Sequence, residues 1–302
     1  MRRAILVCLI PVALIAQPTD STFDFHSSFW VNLHHFLYEQ ASADPKPPAG
    51  PSAWESAVSY YRDKIAKLDL LSGEAVEINS RLAELPDSST PKGPGLDPDL
   101  IAALTEAAPI YRSRWWPDHD RANRAWIVAM TPRIVKYSAA LRKELVSAYA
   151  TDWQTTPIRV DMVPYAAFGG AYTTLEPTHL TLASSDSRNQ DDFGFEILFH
   201  ESSHALIQRV NSVLSEEVRA QHKLFKRRDF WHALLFYTTG EIVRRQLDGY
   251  TPYAFKNGLY EHSWQGVPEI LDADWKPYLD GKIDLMTAVR KLVADYGVPQ
   301  LK

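Results

Sequence analysis

His200 and His204 stand four residues apart, with Glu201 directly after the first, in the stretch Ile197-Leu-Phe-His-Glu-Ser-Ser-His-Ala-Leu206. On an α-helix that spacing puts both imidazoles on one face, one turn apart, so a single metal ion can take a nitrogen from each. Glu201 is rotated by roughly 100° from His200 and can reach a water molecule held by that metal. The spacing therefore predicts that His200 and His204 hold Zn2+ and that Glu201 takes a proton from the activated water. Incidental histidines and a purely structural metal site are the alternatives, and the second has no use for Glu201.

The surroundings of the motif are those of a buried helix. Ile197, Leu198 and Phe199 before it, and Ala205, Leu206 and Ile207 after it, bring no charge, proline or glycine. Phe195, Leu198, Phe199, Leu206, Val210 and Val213 form a stripe at helical spacing, and the pattern predicts one helix running to about Glu217. The uncharged flanks around HExxH resemble the zincin metallopeptidases. The match covers about ten residues and so speaks for a class of mechanism.

A third ligand has to come from elsewhere. Glu216 and Glu217 lie 12 and 13 residues past His204, and about 18 Å of helical rise carries them out of reach. The segment Asp229–Arg244 reads as a long helix with one glutamate, Glu241, among Leu234, Phe236, Tyr237 and Ile242. A carboxylate in such a setting calls for a partner, and a metal is one. His232 lies nine residues before Glu241, about half a turn out of phase, so at most one of them faces the metal. A surface glutamate paired with Arg244 or Arg245 is the plain alternative. Glu241 is the choice made here, because its neighbours are apolar while His232 falls beside Asp229 and Arg228. It also matches what the glutamate-zincin branch implies, a ligand Glu on a second downstream helix, although no Asn-Glu-x-x-Ser-Asp signature accompanies it. Metzincins fit poorly, since Ile207 and Val210 occupy the positions where they need Gly and His. The resemblance further implies a downstream Tyr or His that stabilises the oxyanion, for which Tyr260 and His262 are candidates by type and position.

The elements before the motif change character twice. From Phe23 to Glu84 the pattern reads as helices, with stripes Phe29/Leu33/Phe36/Leu37 and Trp54/Val58/Tyr61/Ile65. Adjacent His34 and His35 are expected at the core edge or the surface. A proline- and glycine-rich linker follows at 85–98, and helices resume from Asp97 to about Ala150, broken near Pro117 and Pro132. Trp115 and Trp116 are expected to pack under neighbouring helices. Alternation at Ile158/Val160/Met162 and at Leu180/Leu182 marks strands, and Phe168–Thr174 suggests a third strand entered through a glycine pair. By the zincin resemblance, the strand at Thr178–Ala183 is the edge on which an extended peptide would lie. Asp191 and Asp192 are placed to open the motif helix. Lys223–Arg228 reads as a solvated turn.

The chain opens Met-Arg-Arg, then runs apolar from Ala4 to Ala16 before Gln17-Pro18-Thr19-Asp20. This is the pattern of a cleaved secretory signal, since the apolar run falls short of the roughly 20 residues a spanning helix needs. Cleavage removes Cys8, the one cysteine. The mature chain then has no disulfide and no thiolate ligand, which excludes the deformylase pattern and leaves stability to a packed core. Formal net charge is −5, and −7 without Arg2 and Arg3, so nucleic acid is not an expected partner.

These readings combine into an α+β, mainly helical fold: a signal peptide at 1–16, a helical N-terminal region at 17–95, and at 96–302 a zincin-like catalytic unit whose small sheet precedes the HExxH helix. The expected function is an exported, periplasmic or extracellular zinc metallopeptidase acting on peptide or protein substrates, with no stable membrane insertion once the signal is removed. A catalytically inactive secreted helical binding or scaffold protein that keeps its metal site is the alternative from another class. Hydrolysis of a non-peptide bond is a third. Oligomeric state and substrate identity are not legible in the residues.

Overall fold

The computed structural model describes residues 22–43, 50–92, 95–166 and 169–300, so the expected signal peptide at 1–16 lies outside the described residues. Among the described residues no helix is long and apolar enough to cross a membrane. The fold is α+β and mainly helical.

Four short strands make the sheet: β1 (Phe23–His26), β2 (Ile158–Val163), β3 (Ala171–Thr174) and β4 (His179–Ala183), in the order β1-β2-β4-β3. β1, β2 and β4 run parallel, and β3 is antiparallel to β4. Two expectations are corrected here. Phe23–His26 is a strand of the main sheet and not the start of a helix. The edge beside the motif is β3, whereas β4 lies inside the sheet, because the chain reverses after Thr174 and inserts β4 between β3 and β2.

The period of two gives the sheet two unlike faces. Val160, Met162, Leu180 and Leu182 are buried in the larger apolar cluster, with Phe195, Leu198 and Phe199 from the motif helix. Each large apolar side chain buried there contributes roughly 1.5–3 kcal/mol. The opposite face carries Arg159, Asp161, His179 and Thr181, and α1 (Phe29–Ser42) covers it. Polar groups under a helix must be satisfied internally, and these are. Asp161 accepts from Ser28, Arg159 and His179 at 2.6–2.8 Å. Burial alone would raise its carboxyl, but His179 and Arg159 outweigh it and hold Asp161 well below the usual carboxylate range. His34 and His35 are both buried, contrary to the expected core-edge or surface placement. His34 Nδ1 lies 2.9 Å from Tyr61 Oη, and His35 links the Val31 carbonyl to Tyr172 Oη.

α2 (Ser52–Tyr60), α3 (Gly73–Ala83) and α4 (Pro98–Arg114) complete the N-terminal layer with α1. Their apolar cluster extends through Tyr111, so the packing does not divide at residue 96, and β1 belongs to the main sheet. Trp115 lies against Phe36 and Trp54, and Trp116 against Phe29, as the sequence led us to expect. α5 (Trp116–Tyr149) takes Pro117 in its first turn and passes through Pro132 without breaking. It spans roughly 50 Å and packs on α6 (Asp191–Ser203) and α8 (Phe230–Gln246).

The motif helix is shorter than expected. α6 ends at Ser203, and α7 (Gln208–Ala220) begins after a tight turn. Two local causes act at the break. The Ser202 and Ser203 hydroxyls donate back to the Leu198 and Phe199 carbonyls, and the Glu201 carbonyl accepts from the Thr173 hydroxyl. The backbone then closes with bonds from His204, Ala205 and Leu206 to carbonyls three residues back. Lys223–Phe225 forms β5, paired with β6 (Gly297–Pro299), where the sequence suggested only a solvated turn. The short helices α9 (Tyr253–Lys256), α10 (Leu259–Ser263), α11 (Val267–Ile270) and α12 (Lys276–Leu279), with α13 (Leu285–Tyr296), close the C-terminal side.

Candidate metal centre

α6 and α8 meet along matched four-residue steps. Glu196, His200 and His204 share one face of α6, and Gly240, Phe236 and His232 meet them in reverse order from α8. A Cβ built on Gly240 would stand 2.7 Å from Pro252 Cβ and 3.3 Å from Glu196 Oε1, so a side chain here would collide with Pro252 and press on Glu196. One step along, the His200 ring stacks on Phe236 with centroids 3.7 Å apart. A further step brings His204 and His232 to a ring separation of 5.2 Å.

The result is a cluster of three imidazoles. His200, His204 and His232 each offer a nitrogen, and these atoms all lie within 4.8 Å of one another. His200 Nε2 and His232 Nε2 are 3.2 Å apart. Two nitrogens bound at about 2.1 Å to one tetrahedral ion stand roughly 3.4 Å apart, so the donor set fits such an ion. Protonation is disfavoured at all three. Burial lowers His200 well below the ordinary value, with the charges of His204 and His232 adding to it; burial and His232 lower His204 to about 3; burial lowers His232 to about 4 against the pull of Asp229. Neutral imidazoles with free lone pairs are what a metal requires. Trp231 stacks on His232 and meets His204 edge-on, and Trp264 meets His232 edge-on, so aromatic rings frame the cluster.

Glu201 lies beside this cluster with Oε2 3.9 Å from His204 Nε2. Burial raises its carboxyl to about 7, while a hydrogen bond from Thr173 works in the other direction. A carboxyl near neutrality is suited to taking up and returning a proton.

Glu241, expected from the sequence as third ligand, does not lie in the group; His232 does. Its carboxylate is 2.6 Å from Arg244 and 3.3 Å from Lys276. Of its helix neighbours, Phe236 faces the histidines, whereas Tyr237 and Thr238 face the C-terminal segment with it: Thr238 accepts from Trp275 Nε1, and Tyr237 donates to Asp272. The two positions are half a turn apart, as the helical phase required, and the i,i+3 arginine was the signal for the plainer reading. The hydroxyl of Tyr260 donates to the Ala233 carbonyl at 3.2 Å. His262 is exposed on α10, with its ring against Gly258. Tyr253 on α9 reaches the cluster through Phe236. Its ring stacks on Phe236, and its phenol, raised mainly by burial, feels Arg188, Asp186, Glu196 and Glu201. Neither Tyr253 nor Thr173 carried a sequence signal, because each reaches the site through tertiary contact.

Comparison with family models, with curated proteins and with solved structures yields no match.

Proposed function

We propose that this chain is an exported metal-dependent peptidase whose metal is held by His200, His204 and His232 and whose general base is Glu201. One observation carries the reading: three imidazole nitrogens converge within 4.8 Å, with the buried carboxyl of Glu201 beside them. A metal ion of the zinc type, when bound there, polarises a substrate carbonyl and acidifies water. The chain's own residues do the rest. His200, His204 and His232 fix the ion's position, and packing on Phe236 and Trp231 holds the rings in place. Glu201 accepts the proton from the attacking water and returns it to the leaving nitrogen.

β3 is the terminal strand of the sheet among the described residues and lies next to Glu201, a position from which an extended peptide could be paired by backbone hydrogen bonds, which favours a peptide substrate. Export is supported by the Arg2-Arg3 and apolar opening, and amino-terminal sequencing of the exported protein should start near Gln17. The function is tested by incubating the zinc-loaded chain with a mixed peptide library and reading cleavage by mass spectrometry. Cleavage that a chelator abolishes and added zinc restores is expected. A chain carrying one zinc ion and cutting nothing would contradict the proposal.

A further inference from the structure

Glu201 has one described hydrogen-bonding neighbour besides its own helix, and that neighbour comes from the edge strand. Thr173 Oγ1 lies 2.7 Å from Glu201 Oε2 and 2.9 Å from the Glu201 carbonyl oxygen. We propose that Thr173 is the positioning residue for Glu201: its one hydroxyl proton is shared between the carboxylate and the backbone carbonyl of Glu201, which holds the side chain against the last turn of α6. The proposal rests on the reading of Glu201 as the base.

Three features make the hydroxyl a fixed reference. Threonine is branched at Cβ, so χ1 has few allowed wells and Oγ1 is placed by the backbone alone. That backbone is held from both sides of the strand. Ahead of Thr173, Tyr172 points the opposite way, to the polar face, where His35 Nε2 sits 2.8 Å from its hydroxyl. His35 Nδ1 is in turn 2.8 Å from the Val31 carbonyl, which leaves Nε2 as the acceptor for the Tyr172 hydroxyl. Thr173 is also paired in register with Leu180 of β4. A four-residue edge strand that would otherwise be weakly held is thus pinned by α1 behind it.

The same contact shapes the motif. The Glu201 carbonyl accepts the Thr173 hydroxyl together with the His204 N–H three residues on, in place of the Ala205 N–H that a regular helix would bring to it, and the backbone tightens at His204. His204, the residue that closes this turn, is thereby set against His232. A peptide seated on the open edge of β3 would share that strand with the group that orients Glu201, so substrate and base are placed by one element.

The test compares Thr173→Val, which keeps the branched shape and loses the hydroxyl, with Thr173→Ser and Thr173→Ala in the full chain. With a peptide substrate of the wild-type chain in hand, Thr173→Val should lower kcat by about 10–100-fold, the span typical for losing an outer partner that orients a reacting group. KM and zinc content should stay unchanged, and Thr173→Ser should recover most of the loss. A wild-type kcat in Thr173→Val, or a loss seen only where zinc is lost, would overturn the proposal. Melting temperatures of the metal-free proteins decide independently of any substrate. Thr173→Val should lower the melting temperature more in the wild-type background than in Glu201→Ala, where the carboxylate partner is gone; equal shifts in both backgrounds would overturn it. A chain that cuts no peptide yet shows unequal shifts would count against the peptidase reading and leave the positioning role standing.

Discussion

Replacing His232 with alanine should weaken zinc binding severely, whereas replacing Glu241 with glutamine should leave it unchanged. Four-ligand structural zinc sites bind with roughly 10–16 kcal/mol, or about 2.5–4 kcal/mol for each ligand. Losing one of three imidazoles should therefore cost on the order of a hundredfold to a thousandfold in affinity. The Glu241 carboxylate is occupied by Arg244 and Lys276, whose side chains are 43% and 34% exposed. Water screens such pairs, so Glu241→Gln should cost about 1 kcal/mol of folding stability and no metal affinity. Equilibrium competition against a chromogenic zinc chelator at neutral pH gives both affinities, and circular dichroism checks that each variant is folded. A folded His232→Ala that binds zinc as tightly as the wild type would refute the three-histidine centre, and weakened binding in Glu241→Gln would restore Glu241 to it.

Other contacts make further predictions. Burial raises Glu196 from 4.5 to about 7 against hydrogen bonds from Tyr253 N–H and the Tyr250 hydroxyl. A carboxyl raised in the folded state costs nothing while protonated and destabilises as pH climbs from its unfolded value to its folded one. The stability of Glu196→Gln relative to the wild type should therefore grow across pH 4.5 to 7, by up to about 3 kcal/mol; parallel pH profiles in thermal melts would count against it. Gly240→Ala pushes a methyl group against Pro252 and should cost about 1–3 kcal/mol; unaltered melting would contradict the close packing of the Pro252 segment on α8. Asp161→Asn leaves Arg159 and buried His179 without their carboxylate and should cost about 3 kcal/mol in a urea titration, and a cost below about 1 kcal/mol would show the network to be dispensable.

What the sequence disclosed was local in origin. His200, Glu201 and His204 come together through helical spacing alone, so their approach could be read before any fold was known. The strands at 158–163 and 179–183 announced themselves by alternation, and Asp191 and Asp192 by their place ahead of an apolar run. The third histidine was a matter of phase on α8, and the two candidates were correctly separated. Which face met α6 depended on long-range packing: the Glu196/His200/His204 face against Gly240/Phe236/His232. The ion pair of Glu241 with Lys276 needed α12 folded back onto α8, which no local pattern records. The edge strand was misplaced because strand order is a property of the sheet rather than of any one segment. Thr173, an ordinary residue of a four-residue strand, gained its role by lying opposite Leu180 with its hydroxyl facing α6.

The most direct test of metal-dependent catalysis is the Glu201→Gln variant measured for zinc content and peptide cleavage in the same preparation. Three imidazoles should still hold one zinc per chain, while loss of the proton acceptor should lower turnover by roughly a hundredfold or more. Full cleavage activity in a zinc-loaded Glu201→Gln would mean that Glu201 is not the base and that the chemistry proposed for this centre is wrong.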